Sequence, residues 1–307
     1  MLAEAAPGLQ LKSVLVLSKE TRLQAAARQL GLGDLAEAET ALRQSQVDVT
    51  SMQAEHKAHT QSVEQVVGAL QGRGVACRVV PILEIQDKDF TGQDLILSVG
   101  GDGSFVSCTC HVHDQPILGI NSNPPAVKGQ RIWSVGYYTR TTAADFPRRL
   151  QALMEGRGYR VTPFTRMEVR LNGGSTPVLA FAEVYVGHPL RKKNSRHLLE
   201  VDGVHEEQYK TSGLIVYPAH AYTAWAGDEG ADPPADPASI YYFVTGVQRR
   251  PELKLRGGPI HGRLVATSSL TDGVVSVDTY TEYPFLFGHT VEITRSSHDL
   301  RMIEFPT

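Results

Sequence analysis

Asp102 is the side chain of this sequence best placed to do chemistry. It stands in Gly100-Gly101-Asp102-Gly103-Ser104, directly after the apolar run Leu95-Ile96-Leu97-Ser98-Val99, and Phe105-Val106-Ser107-Cys108 continues as the start of a helix. Glycines let backbone N–H groups curl around an anion, because no Cβ blocks the turn or the close approach. A helix start adds unpaired N–H groups and a partial positive charge, which also favour phosphate. A carboxylate in such a cradle repels phosphate unless it holds a metal ion or takes a proton from an attacking hydroxyl. The pattern points to phosphoryl transfer; a tight strand–helix turn is the plain structural reading of the same residues.

Two other clusters invite a chemical reading. Cys108-Thr109-Cys110-His111-Val112-His113 packs four potential ligands into six residues. On a helix, though, residues two apart point to different faces, and no second Cys/His pair lies at finger-like spacing, so helix packing is expected and no metal site. The basic run Arg191-Lys192-Lys193 reads as a solvated loop, or as a phosphate contact if a nucleotide site lies beside it.

The elements that must carry these residues follow from periodicity. Ser13–Leu17 is an apolar run of strand length, Arg22–Leu30 has helical spacing, and Leu35–Leu70 reads as one or two helices ended by Gly72-Arg73-Gly74. Val75–Val80, Leu95–Val99 and Ile117–Ile120 are further strands, and a helix is expected at Thr142–Glu155. Alternating strands and helices predict a doubly wound parallel sheet, with ligands at the carboxyl ends of its strands, where Asp102 and Asn121 fall. After the helix at Thr142–Glu155 the pattern changes: from Arg166 on, short strands separated by Gly, Pro and Asp predict a β-rich antiparallel half. The expected fold class is therefore an α/β N-terminal domain plus a β-rich C-terminal domain. The acidic, proline-rich stretch Gly227–Ser239 is expected to be a surface loop, either a lid or disordered.

Composition narrows the function classes. The chain has 307 residues, 41% hydrophobic and 21% charged, with a net charge of −3, so nothing marks it for nucleic acid or a membrane surface. Three cysteines, Cys77, Cys108 and Cys110, argue against a disulfide framework and for a reducing compartment. No apolar run approaches the roughly eighteen residues of a membrane span, and the short acidic start Met1–Pro7 is unlike a targeting peptide. Cytoplasm is the expectation.

Gly100-Gly101-Asp102-Gly103 resembles the signature of the NAD kinase family, which shares it with diacylglycerol and sphingosine lipid kinases. Further segments resemble that family in order: Pro116–Pro124 with its Asn121 turn, Phe181-Ala182-Glu183-Val184, Thr211–Val216 leading to Thr223-Ala224-Trp225, Asp272–Asp278 and Gly288–Ile293. Ser212-Gly213 and the Asn-Ser-Asn-Pro turn look most like the branch holding mitochondrial NAD kinase and plant NADH kinase. The resemblance implies ATP-dependent phosphorylation of the 2′-hydroxyl of the adenosine ribose in NAD or NADH, with Mg²⁺ offsetting the phosphate charge. It makes Asp102 the general base, with Gly100, Gly101, Gly103, Ser104 and Asn121 holding the nucleotide. Glu183, Ser212, Tyr222, Thr223, Ala224 and Trp225 would meet the acceptor. It implies a homodimer, and domains at 1–140 and 141–285, with residues 286–307 returning to the first.

Two departures bear on the acceptor. Ala182 stands where the family has Asn, and Ala221-Tyr222 replaces a Gly-Ser pair, so Tyr222 is expected to narrow the pocket. Trp225 keeps an aromatic able to stack on a base, or is simply a core tryptophan; His220 is a second acid/base candidate or an ordinary hydrogen-bonding histidine. Two other functions stay open: a kinase of the same fold acting on another nucleoside, sugar or lipid hydroxyl, and a nucleotide-binding protein without turnover.

Overall fold

A computed structural model describes residues 8–125, 134–190, 192–247, 252–278 and 280–306. The start Met1–Pro7 and Arg191 of the basic run lie outside the described residues. The chain divides into two compact units, Met1–Thr162 with Arg301–Thr307, and Pro163–Leu300. The divisions therefore fall at 162 and 300 rather than at the expected 140 and 285.

The first unit is α/β. Its elements are β1 (Ser13–Ser18), α1 (Arg22–Gln29), α2 (Leu35–Gln44), α3 (Thr50–Gln71), β2 (Ala76–Pro81), α4 (Asp87–Phe90), β3 (Leu95–Gly100), α5 (Asp102–Cys108), β4 (Ile117–Asn121), β5 (Thr141–Thr142), α6 (Phe146–Glu155) and β6 (Arg160–Phe164). The sheet runs β2-β1-β3-β4, then the C-terminal strand Leu300–Glu304, then β6, with β5 beside β4. β1, β2, β3, β4 and β5 pair in parallel, and Met302 of the C-terminal strand pairs in parallel with Ile117. Every residue of β3 and β4 is buried, as a central parallel strand covered on both faces requires. Val14, Val16, Leu95 and Leu97 pack with Val66 and Leu70 of α3 and with Phe146, Leu150 and Leu153 of α6. Fully burying each such side chain stabilises by about 1.5–3 kcal/mol. This packing keeps α6 in the first unit, which is why the boundary lies beyond residue 140.

The second unit is antiparallel β. Its strands are β7 (Met167–Leu171), β8 (Val178–Ala180), β9 (Val184–Gly187), β10 (Ser195–Val201), β11 (Val204–Thr211), β12 (Gly213–Pro218), β13 (Ile240–Thr245), β14 (Gly257–Ile260), β15 (Arg263–Ser268), β16 (Gly273–Val277), β17 (Thr281–Phe285) and β18 (Thr290–Arg295), with the short helix α7 (Trp225–Asp228). They form two six-stranded sheets, β11-β10-β15-β18-β7-β8 and β14-β13-β12-β9-β16-β17. Alternate residues of both sheets, among them Val169, Leu199, Leu264 and Ile293 with Val184, Leu214, Val244 and Val275, make one core. On its other face the second sheet buries Tyr185, Ile215, Tyr217 and Tyr241 against Ala226 and Ala231. The Gly227–Ser239 stretch is tied down where Tyr241 Oη meets the Asp236 backbone, accepting from its N–H at 2.8 Å.

Candidate functional site

The glycine turn sits where the sheet delivers it. β3 ends at Gly100 and β4 at Asn121, paired directly, so Asp102 opens α5 at the carboxyl edge of the sheet. Gly100 is required by close approach: a Cβ there would lie 2.6 Å from the Ser104 side chain and 3.2 Å from Lys19 Cβ. Gly119 is required too, since its Cβ would lie 2.5 Å from the Tyr138 carbonyl oxygen.

The Asp102 carboxylate is not idle. Its Oδ2 accepts from the N–H groups of Gly136 at 3.1 Å and Tyr137 at 2.9 Å, and from Ser134 Oγ at 3.5 Å. Its Oδ1 accepts from the N–H groups of Tyr138 at 2.8 Å and Thr139 at 3.1 Å, and from Thr139 Oγ1 at 3.1 Å. A carboxylate offers about four lone-pair sites, so these contacts fill it. Sequence reasoning missed this nest because its donors lie more than thirty residues downstream. Asn121 is likewise spent on the same loop: its Nδ2 donates to the Ser134 carbonyl at 3.2 Å and its Oδ1 accepts from Asn123 N–H at 2.9 Å. Gly101 and Ser104 are half-buried and Gly103 is exposed.

A second group missed from sequence lies beside the turn. Lys19 follows β1, and its Nζ donates to Glu55 Oε1 of α3 at 2.6 Å; Arg22 holds the other Glu55 oxygen and Ser51 Oγ. Burial alone would raise the Glu55 carboxyl, but the bonds from Lys19 and Arg22 outweigh it and hold the carboxyl below its ordinary value. Two cations share this one acid, so the triad carries a positive surplus. His59 is buried between Ser18 Oγ at 2.8 Å and Ser122 Oγ at 2.9 Å, and burial with nearby Lys19 pushes it down to about 4. The readable signal was a lysine at the carboxyl end of a parallel strand.

In the second unit, Glu183, Tyr185, Pro189, Trp225, Val274, Ser276 and Glu282 line a cavity of about 350 Å³. Strand register explains the set: Ser276 lies opposite Tyr185 on one side and Glu282 on the other. Trp225 closes one wall with its ring centroid 5.3 Å from that of Tyr185, and its Nε1 donates to Glu229. Glu183 and Trp225 thus line one cavity. Tyr222 does not join them among the described residues lining the cavity; it packs on the cluster of Tyr185, Ile215, Tyr217 and Tyr241 instead. Thr223 and Ala224 are exposed, and Ser212 accepts the Tyr185 hydroxyl at 2.9 Å through its carbonyl.

The Phe181–Glu183 corner, where the chain leaves one sheet for the other, is held by Asp278. Its carboxylate accepts from the N–H groups of Phe181 at 2.8 Å, Ala182 at 2.7 Å and Glu183 at 3.0 Å. Burial pushes that carboxyl up to about 6, against three donors that favour its ionised form.

Of the remaining candidates, His220 packs on Phe181 with the rings tilted and their centroids 4.6 Å apart, it donates to the Thr165 carbonyl at 2.9 Å, and burial pushes it down to about 4. Cys108 is buried with its thiol pushed up to about 12, and His111 pairs with Asp87. Among the described residues no group of three or more His, Cys, Asp or Glu could hold a metal ion. Lys193 pairs with Asp272 at 3.3 Å on the surface. No helix among the described residues is long and apolar enough to cross a membrane.

No protein-family model matches the chain. It is 24% identical over 258 residues to the NAD kinase 2, mitochondrial, of Rattus norvegicus, covering 71% of this chain and 60% of that protein. It is 27% identical over 168 residues to a probable NADH kinase of Oryza sativa subsp. japonica, covering 49% and 51%. The chain therefore spans about 60% of the length of the mitochondrial relatives it matches. Its fold matches an NAD kinase from Archaeoglobus fulgidus solved with ATP, at TM-score 0.63 and 18% identity over 96% of this chain and 94% of that one. It matches yeast NADH kinase solved with NADH at TM-score 0.63 and 12% identity, over 96% and 84%. In sequence and in fold this chain is similar to NAD kinases and NADH kinases, the family that its Gly-Gly-Asp-Gly turn and later motifs resemble.

Proposed function

We propose that this protein transfers the γ-phosphoryl group of ATP to the 2′-hydroxyl of the adenosine ribose of NAD or NADH. The observation that carries this reading is Asp102, set in a glycine turn at the carboxyl edge of a parallel sheet in a fold shared with NAD kinases. Phosphoryl transfer asks little covalent chemistry of the protein; positioning and charge neutralisation supply most of the rate. Gly100, Gly101, Gly103 and Ser104 form the phosphate side, and Lys19 with Arg22 adds the cationic surplus that a triphosphate needs. Mg²⁺ bound to the ATP phosphates would offset the charge that sets a carboxylate such as Asp102 against a triphosphate. Asp102 is the candidate base. Because its oxygens are filled, it takes the hydroxyl proton only as one of the Gly136–Thr139 donors lets go.

Glu183 and Trp225 form the acceptor side, the carboxylate for ribose hydroxyls and the indole for a ring. A homodimer fits the exposed apolar residues of the second unit, among them Leu198, Val204, Leu286 and Phe287; light scattering that gives an active monomer would refute it. The sparse cysteines Cys77, Cys108 and Cys110 fit a reducing compartment, with cytoplasm as the proposed location. The deciding experiment is a phosphorylation assay of purified protein with ATP–Mg²⁺ and a panel of NAD, NADH and simple nucleosides. NADP or NADPH formation supports the reading; phosphorylation of nucleosides alone, or of nothing, overturns it.

A further inference from the structure

Glu183 is held in place by a residue almost a hundred positions away. Phe181, Ala182 and Glu183 form the corner between β8 and β9, where the chain leaves one sheet and enters the other. Three consecutive amides at such a corner have no ladder partner, and Phe181 and Ala182 are buried. Asp278, just past β16, meets all three. Its Oδ2 accepts from Phe181 N–H at 2.8 Å, and its Oδ1 from Ala182 N–H at 2.7 Å and Glu183 N–H at 3.0 Å. The return bond closes the clamp: Asp278 N–H donates to the Glu183 carbonyl at 2.8 Å. Asp278 reaches this geometry with φ of 51°, a left-handed conformation uncommon for a residue other than glycine. Both peptide groups of Glu183 are thus held by one residue, while its side chain lines the cavity shared with Trp225, Ser276 and Glu282.

We infer that Asp278 is a positioning residue for acceptor binding, which aims the Glu183 carboxylate by clamping the Phe181–Glu183 backbone. Ala182 then has a role despite lacking a polar side chain, since its amide supplies the shortest of the three bonds. Asp278 touches no reacting group and acts only through Glu183. Its role so defined rests on the proposed function, because Glu183 must meet a dinucleotide for its placement to matter. An Asn at 278 keeps the volume but turns an NH₂ donor toward a corner that presents only N–H donors, so the corner must shift.

The test is a double-mutant cycle on dinucleotide affinity, measured by calorimetry with the full chain for wild type, D278N, E183Q and D278N/E183Q. D278N should weaken NAD binding by roughly tenfold while ATP affinity stays within about twofold, and in the E183Q background the same change should cost little more. KM for the acceptor should rise with kcat nearly unchanged. Multiplying effects of the two substitutions, or equal loss of ATP affinity, overturns the clamp as a positioning device and leaves Asp278 a fold-stabilising residue. If D278N does not fold, D278S, which leaves room for a water, takes its place in the cycle. A wild-type protein that binds neither NAD nor NADH sinks the proposed function and the positioning role together; binding by wild type with multiplying variants sinks the positioning role alone.

Discussion

Asp102 Oδ1 accepts the Tyr138 N–H at 2.8 Å across thirty-six residues of chain, so the acid of the glycine turn anchors the loop that follows β4. Phe105 of α5 and the Tyr138 ring stack at 5.5 Å and fasten the same join. The candidate base is therefore tied to the backbone of Gly136–Thr139 by these bonds.

D102N should lower turnover by on the order of 10²–10⁴ while ATP binding stays within a few-fold. Because Asn offers one acceptor oxygen in place of two, amides of Gly136–Thr139 should also exchange faster with solvent. Rapid-quench turnover and hydrogen exchange read the two effects. Near-normal turnover by D102N would remove Asp102 from the chemistry.

Lys19 should act on the phosphate side alone. K19M removes one of the two cations sharing Glu55 and should raise KM for ATP by about tenfold, with KM for the dinucleotide unchanged. Steady-state kinetics with each substrate varied in turn checks this; an equal rise in both KM values would point to lost packing instead.

Stability should fall in mild acid. His59, His197 and His220 are each pushed down to about 4, chiefly by burial. Between pH 6.5 and 4 the unfolded chain binds protons that the folded chain refuses, so each of the three contributes stability at neutral pH that is lost as pH falls. Each costs up to about 1.4 kcal/mol per pH unit within that window. Asp278 works the other way: its carboxyl, raised to about 6, gives the folded state extra protons below that pH and offsets roughly one of the three. Thermal melts at pH 7, 6 and 5 should show Tm dropping. Neither ring nitrogen of His197 has a hydrogen-bond partner among the described residues. H197L should therefore raise Tm and flatten the pH slope; a lower Tm at every pH would contradict this.

If the cavity of Glu183 and Trp225 takes the acceptor, it should favour the oxidised dinucleotide. Its described lining residues include two carboxylates, Glu183 and Glu282, two aromatic rings, and no Lys or Arg. The pyridinium ring of NAD carries a positive charge that NADH lacks, and both acids and ring faces attract it. We expect kcat/KM for NAD to exceed that for NADH by up to about tenfold at low salt, with the preference reduced by E282Q and by added salt, since Glu282 is exposed. Preference for NADH by the wild type would refute the electrostatic reading.

Short-range chemistry is legible along the chain. The apolar run Leu95–Val99, the glycine turn and the change from helix–strand alternation to short strands were all legible, because each is encoded in neighbouring residues. So was the candidate acid Asp102, since a lone carboxylate among glycines is a local feature. Tertiary structure alone decided what those residues touch. The donors that fill Asp102 lie at Gly136–Thr139, the acid that gathers Lys19 and Arg22 lies on α3, and the carboxylate that makes sense of Ala182 lies at Asp278. Tyr222, expected to narrow the acceptor cavity, packs on the buried cluster of Tyr185, Ile215, Tyr217 and Tyr241 and is not among that cavity's described lining residues. Unpaired buried amides and shared carboxylates draw their partners through space, and sequence spacing carries no record of which distant residue will arrive.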